Sequence, residues 1–150
     1  MAITKSGCFV PTFLDVLDTT QLAIDLDLET HKSALFSDTL APDFDANTAY
    51  GVSPLDANEV SGTGWAAGGV ALTGTTFTLV AGGKTKFDAT DVSVAGTTLT
   101  SAMCDVIYAD ALAGNNAIML IDFVTAVSTV AGLFEILWHT DGIWVNTIIA

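Results

Sequence analysis

The alternation of apolar and polar residues predicts that most of this chain is β-structure. From position 30 onward, short apolar runs broken by Thr, Ser, Gly or Asp recur about every 8–12 residues, which is typical of sandwiches and barrels. No long helical pattern alternates with these runs, so a parallel α/β fold is not expected. The pattern therefore predicts an all-β fold, an antiparallel β-sandwich or partial barrel of jelly-roll-like type. The predicted strands lie at 31–36, 65–72, 76–80, 85–88, 92–94, 99–108 and 117–124.

The clearest local pattern is a C-terminal hairpin. In Leu133–His139, Phe134, Ile136 and Trp138 share one face, while Glu135 and His139 point the other way. Phe134 and Trp138 are expected in the core. Thr140–Gly142 contains an Asp-Gly pair, which supplies the positive φ that tight hairpin turns need. Ile143–Ile149 then alternates again and is predicted to be the second strand of the hairpin.

Residues 1–12 are predicted to be an N-terminal arm, and residues 13–150 a single β-rich domain that begins with a short helix over 13–24. The arm has no periodicity, yet it contains Ile3, Phe9 and Val10. A free terminus normally frays, so we expect these side chains to dock on a neighbouring chain, with Phe9 as the anchor. The alternative is that they cover the domain's own sheet.

The composition indicates that other protein chains cover part of the surface. Hydrophobic residues make up 51% of the chain and charged residues only 14%, against roughly 25% charged in an average soluble domain. An apolar exterior of this kind favours association, so a homo-oligomer is expected. Trp65, beside a long loop at 37–61, and Trp144 are the expected interface tryptophans.

The charge excludes two classes of partner. Seventeen acidic residues stand against four lysines, with no arginine, for a formal net charge of −13. Such a chain cannot neutralise phosphates, so nucleic acid is not an expected partner, and an anionic membrane surface would repel it. No apolar run approaches the length of a membrane-spanning helix.

Catalytic residues are sparse, and no enzymatic activity or cofactor is expected. The two histidines, His31 and His139, are predicted on outward-facing strand positions, and neither a Gly-x-Ser-x-Gly nor a P-loop motif occurs. Cys8 and Cys104 are too few for a disulfide framework and are expected to be free, buried thiols. Asp122 lies inside an apolar run, where a buried carboxylate would need a structural partner.

One segment resembles the opening of a calcium-binding loop. Asp43, Asp45 and Asn47 repeat oxygen ligands at every second position. The pattern then fails, because Thr48 occupies the position of the required glycine and Pro54 that of the bidentate glutamate. The segment is a weak calcium candidate, and an ordinary Asx-rich loop is the main expectation.

Seven segments together resemble a family of small structural proteins of tailed-bacteriophage virions. The resemblance implies a non-enzymatic virion protein, made in the host bacterial cytoplasm, whose partners are the major capsid protein or other virion proteins. Relatives often carry an arginine just before the Tyr-containing strand, where this chain has Ser101–Asp105, so any contact of that arginine does not transfer. The resembling segments are Phe13–Leu17, Thr30–Phe36, Val60–Leu72, Phe87–Val92, Val106–Asp110, Leu120–Phe123 and Ala131–Trp138.

The resemblance implies two possible locations in the virion. Members of the family are head decoration proteins or minor tail and fibre components. The first expectation is a capsid decoration (cement) protein that binds the outer face of the head and stabilises it across capsomer junctions. The alternative is a tail-tip or fibre-associated module that contacts the host surface, where an exposed Trp65 or Trp144 would stack on a sugar.

Overall fold

A computed structural model describes residues 3–27 and 30–148. Strands make up 47% and helix 6%, in two antiparallel sheets with one short helix, which confirms the expected all-β, sandwich-like fold. The elements in chain order are β1 (Gly7–Cys8), α1 (Val10–Leu17), β2 (His31–Phe36), β3 (Val70–Ala71), β4 (Thr76–Val80), β5 (Lys84–Asp88), β6 (Val92–Ala109), β7 (Ala117–Ile136) and β8 (Trp144–Thr147).

The larger sheet has the order β1-β7-β6-β2-β3, and the smaller has the order β4-β5-β8. The long β6–β7 hairpin forms the centre of the larger sheet. It extends well beyond the neighbouring strands, since β2 pairs only with Cys104–Ala109 of β6. At its distal end, Val92 lies opposite Ile136. Part of this hairpin therefore has no strand beside it.

Both long strands were predicted as separate segments, because bulges interrupt their alternation. The β6–β7 register shifts at several points, and Ser101, Val124 and Ala131 have positive φ. A bulge adds unpaired residues to one strand, so side chains beyond it change faces relative to a simple two-residue period. The pattern therefore predicts the segments but not their continuity.

The larger sheet is covered on both faces, which gives the domain three layers. On one face, Leu35 and Ile107 pack toward the small sheet, where Phe87 is buried. On the other face, Phe36 and Val106 pack against the N-terminal segment and the irregular segment between β2 and β3. The long loop expected at 37–61 is thus a covering layer of the core, although it contains no named strand.

The N-terminal segment belongs to this covering layer. This corrects the expectation that Ile3 and Phe9 dock on a neighbouring chain, and it agrees with the alternative that they cover the domain's own sheet. Cys8 pairs with Met119 of β7, and the Phe9 N–H donates to the Ile118 carbonyl at 3.0 Å. Ile3 and Phe9 are both 0% exposed within one chain. The helix also begins earlier than expected, at Val10, because proline is favoured in a first helical turn.

The predicted C-terminal hairpin does not form, because the two segments on either side of the turn do not pair with each other. Phe134 is buried as expected and Trp138 only partly so, but β8 pairs with β5, and Trp144 lies opposite Phe87. The turn forms, with the Gly142 N–H donating to the His139 carbonyl at 2.7 Å. The chain then crosses to the small sheet, where the Trp144 ring packs between aromatic neighbours. Ile149, the predicted end of this strand, lies outside the described residues.

Candidate functional site

An apolar groove of about 430 Å³ lies between α1 and the small sheet. Helix α1 contributes one wall, the segment after it contributes a second, and aromatic residues of β4 and β8 contribute the third. Two carboxylate residues also line it. The principal lining residues are Phe13, Val16, Leu17, Ile24, Leu26, Phe77 and Trp144, with Asp25 and Asp27.

Strand register places the aromatic rings of the groove. Phe77 and Trp144 lie on either side of Phe87 in the small sheet, so all three project from the same face. The Phe77 and Trp144 rings stack with centroids 6.1 Å apart and planes at 17°. Phe13 of α1 meets Trp144 edge-on at 5.2 Å. Trp144, one of the expected interface residues, is therefore half-buried in the wall of the groove.

The two carboxylate residues are held by the backbone of their own segment and of β4. The Asp27 N–H donates to Asp25 Oδ1 at 2.9 Å, and the Asp27 carboxylate accepts from the Phe77 N–H. Thr75 Oγ1 also donates to the Asp27 carbonyl at 3.0 Å. The segment is thereby attached to the edge of β4, and the apolar groove has acidic residues in its wall.

Helix α1 exposes a second apolar stripe. Val10, Leu14 and Leu17 follow one another at the i, i+4 and i+7 spacing of one helix face, and Leu14 and Leu17 are 59% and 85% exposed. Leu17 also lines the groove, so groove and stripe form one surface. We call this combined region the α1 surface.

Three of the five expected interface residues do not lie on the surface. Trp65 is fully buried and packs edge-on against Phe134 at 5.3 Å, so the prediction that it faces another chain or a sugar is wrong. Ile3 and Phe9 are buried in the covering layer described above. Val10 and Trp144 remain accessible, and both belong to the α1 surface or its groove.

The calcium-like segment uses its side chains to hold its own turn. Asn47 Oδ1 accepts from the Asp43 N–H at 2.7 Å, and Asp43 Oδ1 accepts from the Asp45 N–H at 3.0 Å. These are the contacts of an Asx-rich turn. Within the part of the chain that the structure describes, no group of three or more His, Cys, Asp or Glu side chains is arranged to hold a metal ion.

The histidines occupy different environments, and only one matches its prediction. His139 is exposed and lies 3.3 Å from Asp141, as expected for a surface residue. His31 was also predicted to face outward, but it is fully buried, with Nε2 at 3.0 Å from the Asp25 carbonyl and its ring edge-on to Phe87. The cause is the small sheet, which covers that face of β2.

Asp105 is a fully buried carboxyl that the sequence analysis did not single out. It lies on β6 and accepts a hydrogen bond from Ser33 Oγ at 2.7 Å. Burial raises its pKa to about 7, and the Ser33 hydrogen bond opposes this only in part. Its position in the apolar run 102–109 was the available signal. Asp122, expected to be buried, is only half-buried and accepts from the Val124 N–H at 2.7 Å.

The thiols are poor nucleophiles at neutral pH. Cys8 and Cys104 are both free, with Cys104 buried and Cys8 partly so. Burial raises the pKa of Cys8 to about 11, and burial together with nearby carboxylates raises that of Cys104 further. Because the thiolate is the reactive form, neither cysteine has the environment of a catalytic nucleophile.

The α1 surface is accordingly the best candidate for function, and its chemistry is that of binding through apolar contacts. Among residues 3–27 and 30–148, no helix combines the length and apolarity needed to cross a bilayer. Comparisons with models of protein families, with curated proteins and with solved structures find no match to this chain.

Proposed function

We propose that this chain is a non-enzymatic structural protein of a tailed-bacteriophage virion, which binds the outer face of the head as a decoration protein and stabilises it. The resemblance of its sequence segments to such proteins supports the virion assignment. The observation that carries the binding role is the α1 surface, where a groove and a helix stripe together expose large apolar side chains.

Burial of this surface would supply binding energy. Fully burying a leucine or valine side chain contributes about 1.5–3 kcal/mol. Leu14 and Leu17 are mostly exposed in the isolated chain, so most of this free energy would be gained only when a partner covers them. On a capsid, many equivalent contacts act together, so a modest affinity per site gives firm attachment by avidity. The role is mechanical, since the contacts resist separation of neighbouring capsomers.

The charges around the α1 surface indicate the chemistry of the partner. Asp15 and Asp18 lie on and just after the helix, and Asp25 and Asp27 line the groove. A complementary partner presents an apolar anchor flanked by lysine or arginine, because opposite charges at the rim speed association and exclude wrong partners. We expect this partner to be a segment of the major capsid protein or of another virion protein.

The double variant Leu14→Gln/Leu17→Gln tests the role of the α1 surface. Both side chains are mostly exposed, so the purified variant should melt within about 3 °C of the wild type. Its binding to virions stripped of this protein should fall at least about tenfold, since two apolar anchors are replaced by polar ones. Co-sedimentation with particles measures the effect.

The matched control is Leu79→Gln, which changes an equally exposed leucine on β4 outside the groove. It should bind particles like the wild type. Equal binding by the α1 variant and the control would contradict the proposal. Quantitative proteomics of the virion then locates the protein: copies in proportion to capsid subunits support decoration, whereas a small multiple of the tail symmetry places it in the tail.

A second candidate function, a tail-tip or fibre-associated module that binds a host-surface glycan, is favoured by the stacked Phe77 and Trp144 rings beside Asp25 and Asp27. Aromatic faces with neighbouring carboxylates suit the apolar faces and hydroxyls of sugars. The test is retention of the wild type and of Phe77→Leu on immobilised bacterial surface polysaccharide. Retention of the wild type alone supports glycan binding, and retention of neither supports the decoration role.

A further inference from the structure

The groove beside α1 combines an apolar lining with negative charge. Among the described residues, the charged side chains that line it are Asp25 and Asp27, and none of the four lysines of the chain does so. An occupant that fits this lining therefore carries apolar surface and positive charge together. The lysines instead contact Phe44 (Lys5), Asp110 (Lys32) and Asp88 (Lys86), or line a different cavity (Lys84).

The Asp27 carboxylate is held at the aromatic wall of the groove. Its Oδ1 accepts from the Phe77 N–H, which leaves Oδ2 for another donor. The Phe77 ring stacks on Trp144, and both rings line the groove. Faces of aromatic rings attract cations, and a carboxylate beside them adds a charge-assisted hydrogen bond. This wall is therefore suited to a cation with a flat face.

The end of α1 adds to the negative potential of the groove. Leu17, the last residue of α1, lines the groove, and the last turn of the helix contains no basic residue. A helix C-terminus carries a partial negative charge, which favours cations. The helix end and the carboxylates are independent features, and both select a cationic occupant.

We propose that the groove binds an arginine side chain of the partner protein, with its guanidinium against Phe77 and Trp144 and bonded to Asp27. This inference rests on the proposed function, since it names the side chain through which the partner enters the α1 surface. Arginine is favoured over lysine because a planar guanidinium stacks on aromatic rings and donates two parallel hydrogen bonds to a carboxylate. This chain contains no arginine, so a second copy of it cannot be the occupant.

The test is the binding of two short peptides to the full chain. Each is a blocked pentapeptide with alanine at both ends and leucine on either side of a central residue, which is arginine in one and citrulline in the other. Citrulline has the same shape but is neutral. The arginine peptide should bind at least about fivefold more tightly, since the citrulline peptide lacks the charge. Titration followed by NMR should shift the indole N–H signal of Trp144.

Asp27→Asn should abolish the preference for arginine. The amide oxygen can still accept from the Phe77 N–H, so circular dichroism and melting should be unchanged. The matched control, Asp56→Asn, makes the same charge change at an exposed position outside the groove and should keep the preference. Equal binding of the two peptides by the wild type, or a preference that survives in Asp27→Asn, would overturn the inference.

Co-sedimentation with stripped virions separates this inference from the proposed function. If Asp27→Asn binds particles like the wild type while Leu14→Gln/Leu17→Gln does not, the arginine inference is wrong and the binding role of the α1 surface stands. If the wild type prefers the arginine peptide but Leu14→Gln/Leu17→Gln still binds particles, the groove inference stands and the proposed function fails. Retention on polysaccharide without binding of either peptide would also overturn the inference.

Discussion

Phe9→Ala is expected to destabilise the protein by about 4 kcal/mol, in the range for removing a fully buried phenylalanine. The Phe9 ring is 0% exposed and packs against Phe44 with centroids 5.3 Å apart. Truncation would leave a cavity between the larger sheet and the segment that covers it. Since domains are stable by only about 5–15 kcal/mol, the urea midpoint should fall markedly with an unchanged slope.

Val10→Ala is the control for this prediction. Val10 is the next residue and equally apolar, but half of its side chain is exposed, so its loss should cost less than about 1 kcal/mol. The two variants distinguish a core segment from an arm that docks elsewhere. If Phe9→Ala unfolds at the same urea concentration as the wild type, the N-terminal segment is not part of the core.

Asp105 is expected to make the protein less stable as the pH rises from about 4 to about 7. Its pKa is 3.8 when unfolded and about 7 when folded, because burial disfavours the carboxylate. Between these values the folded state holds a proton that the unfolded state releases, so the free energy of unfolding falls with pH and is constant above the folded pKa. At 1.36 kcal/mol per pKa unit, the loss is about 4 kcal/mol.

Asp105→Asn should remove this dependence. The amide oxygen can still accept the Ser33 hydroxyl, and the amide carries no charge at any pH. Burying an unpaired amide N–H costs about 1–3 kcal/mol, so we expect a net stabilisation of about 2 kcal/mol at pH 8. Urea unfolding of the wild type and the variant at pH 4, 6 and 8 measures the difference.

Asp56→Asn, at an exposed position, is the control for Asp105. The difference in free energy of unfolding between this variant and the wild type should be the same at pH 4, 6 and 8. The wild type contains many other acids whose repulsion also varies with pH, so the quantity of interest is the difference between wild type and variant. A constant difference between Asp105→Asn and the wild type from pH 4 to pH 8 would contradict the raised pKa.

The candidate site could be found only in part from the sequence. Trp144 was identified because apolar side chains in a chain with few charges favour an interface, and Val10 because it lies in an apolar N-terminal segment expected to dock on a neighbour. Both are accessible in the fold. Trp65 fits the same argument equally well but is buried against Phe134. Leu14 and Leu17 were assigned to a helix without a prediction of which face is exposed. Helical spacing shows which side chains share a face, and burial depends on what packs there.

Local patterning determined the fold class, the identity of most strands and the lack of long helical patterns. Successive side chains of a strand point to opposite faces, so neighbouring residues alone show the two-residue period. It also determined that the chain is strongly acidic and poor in charge. These properties depend on composition and short-range geometry alone.

Tertiary structure decided everything that depends on partners distant in sequence. It made β8 pair with β5 rather than β7, placed Ile3 and Phe9 in the core, and buried His31 and Asp105 under a second layer. It also joined short segments into β6 and β7 across bulges, so that both strands extend beyond the strands beside them. The physical reason is that register, bulges and layer coverage are set by packing between elements, which no local period encodes.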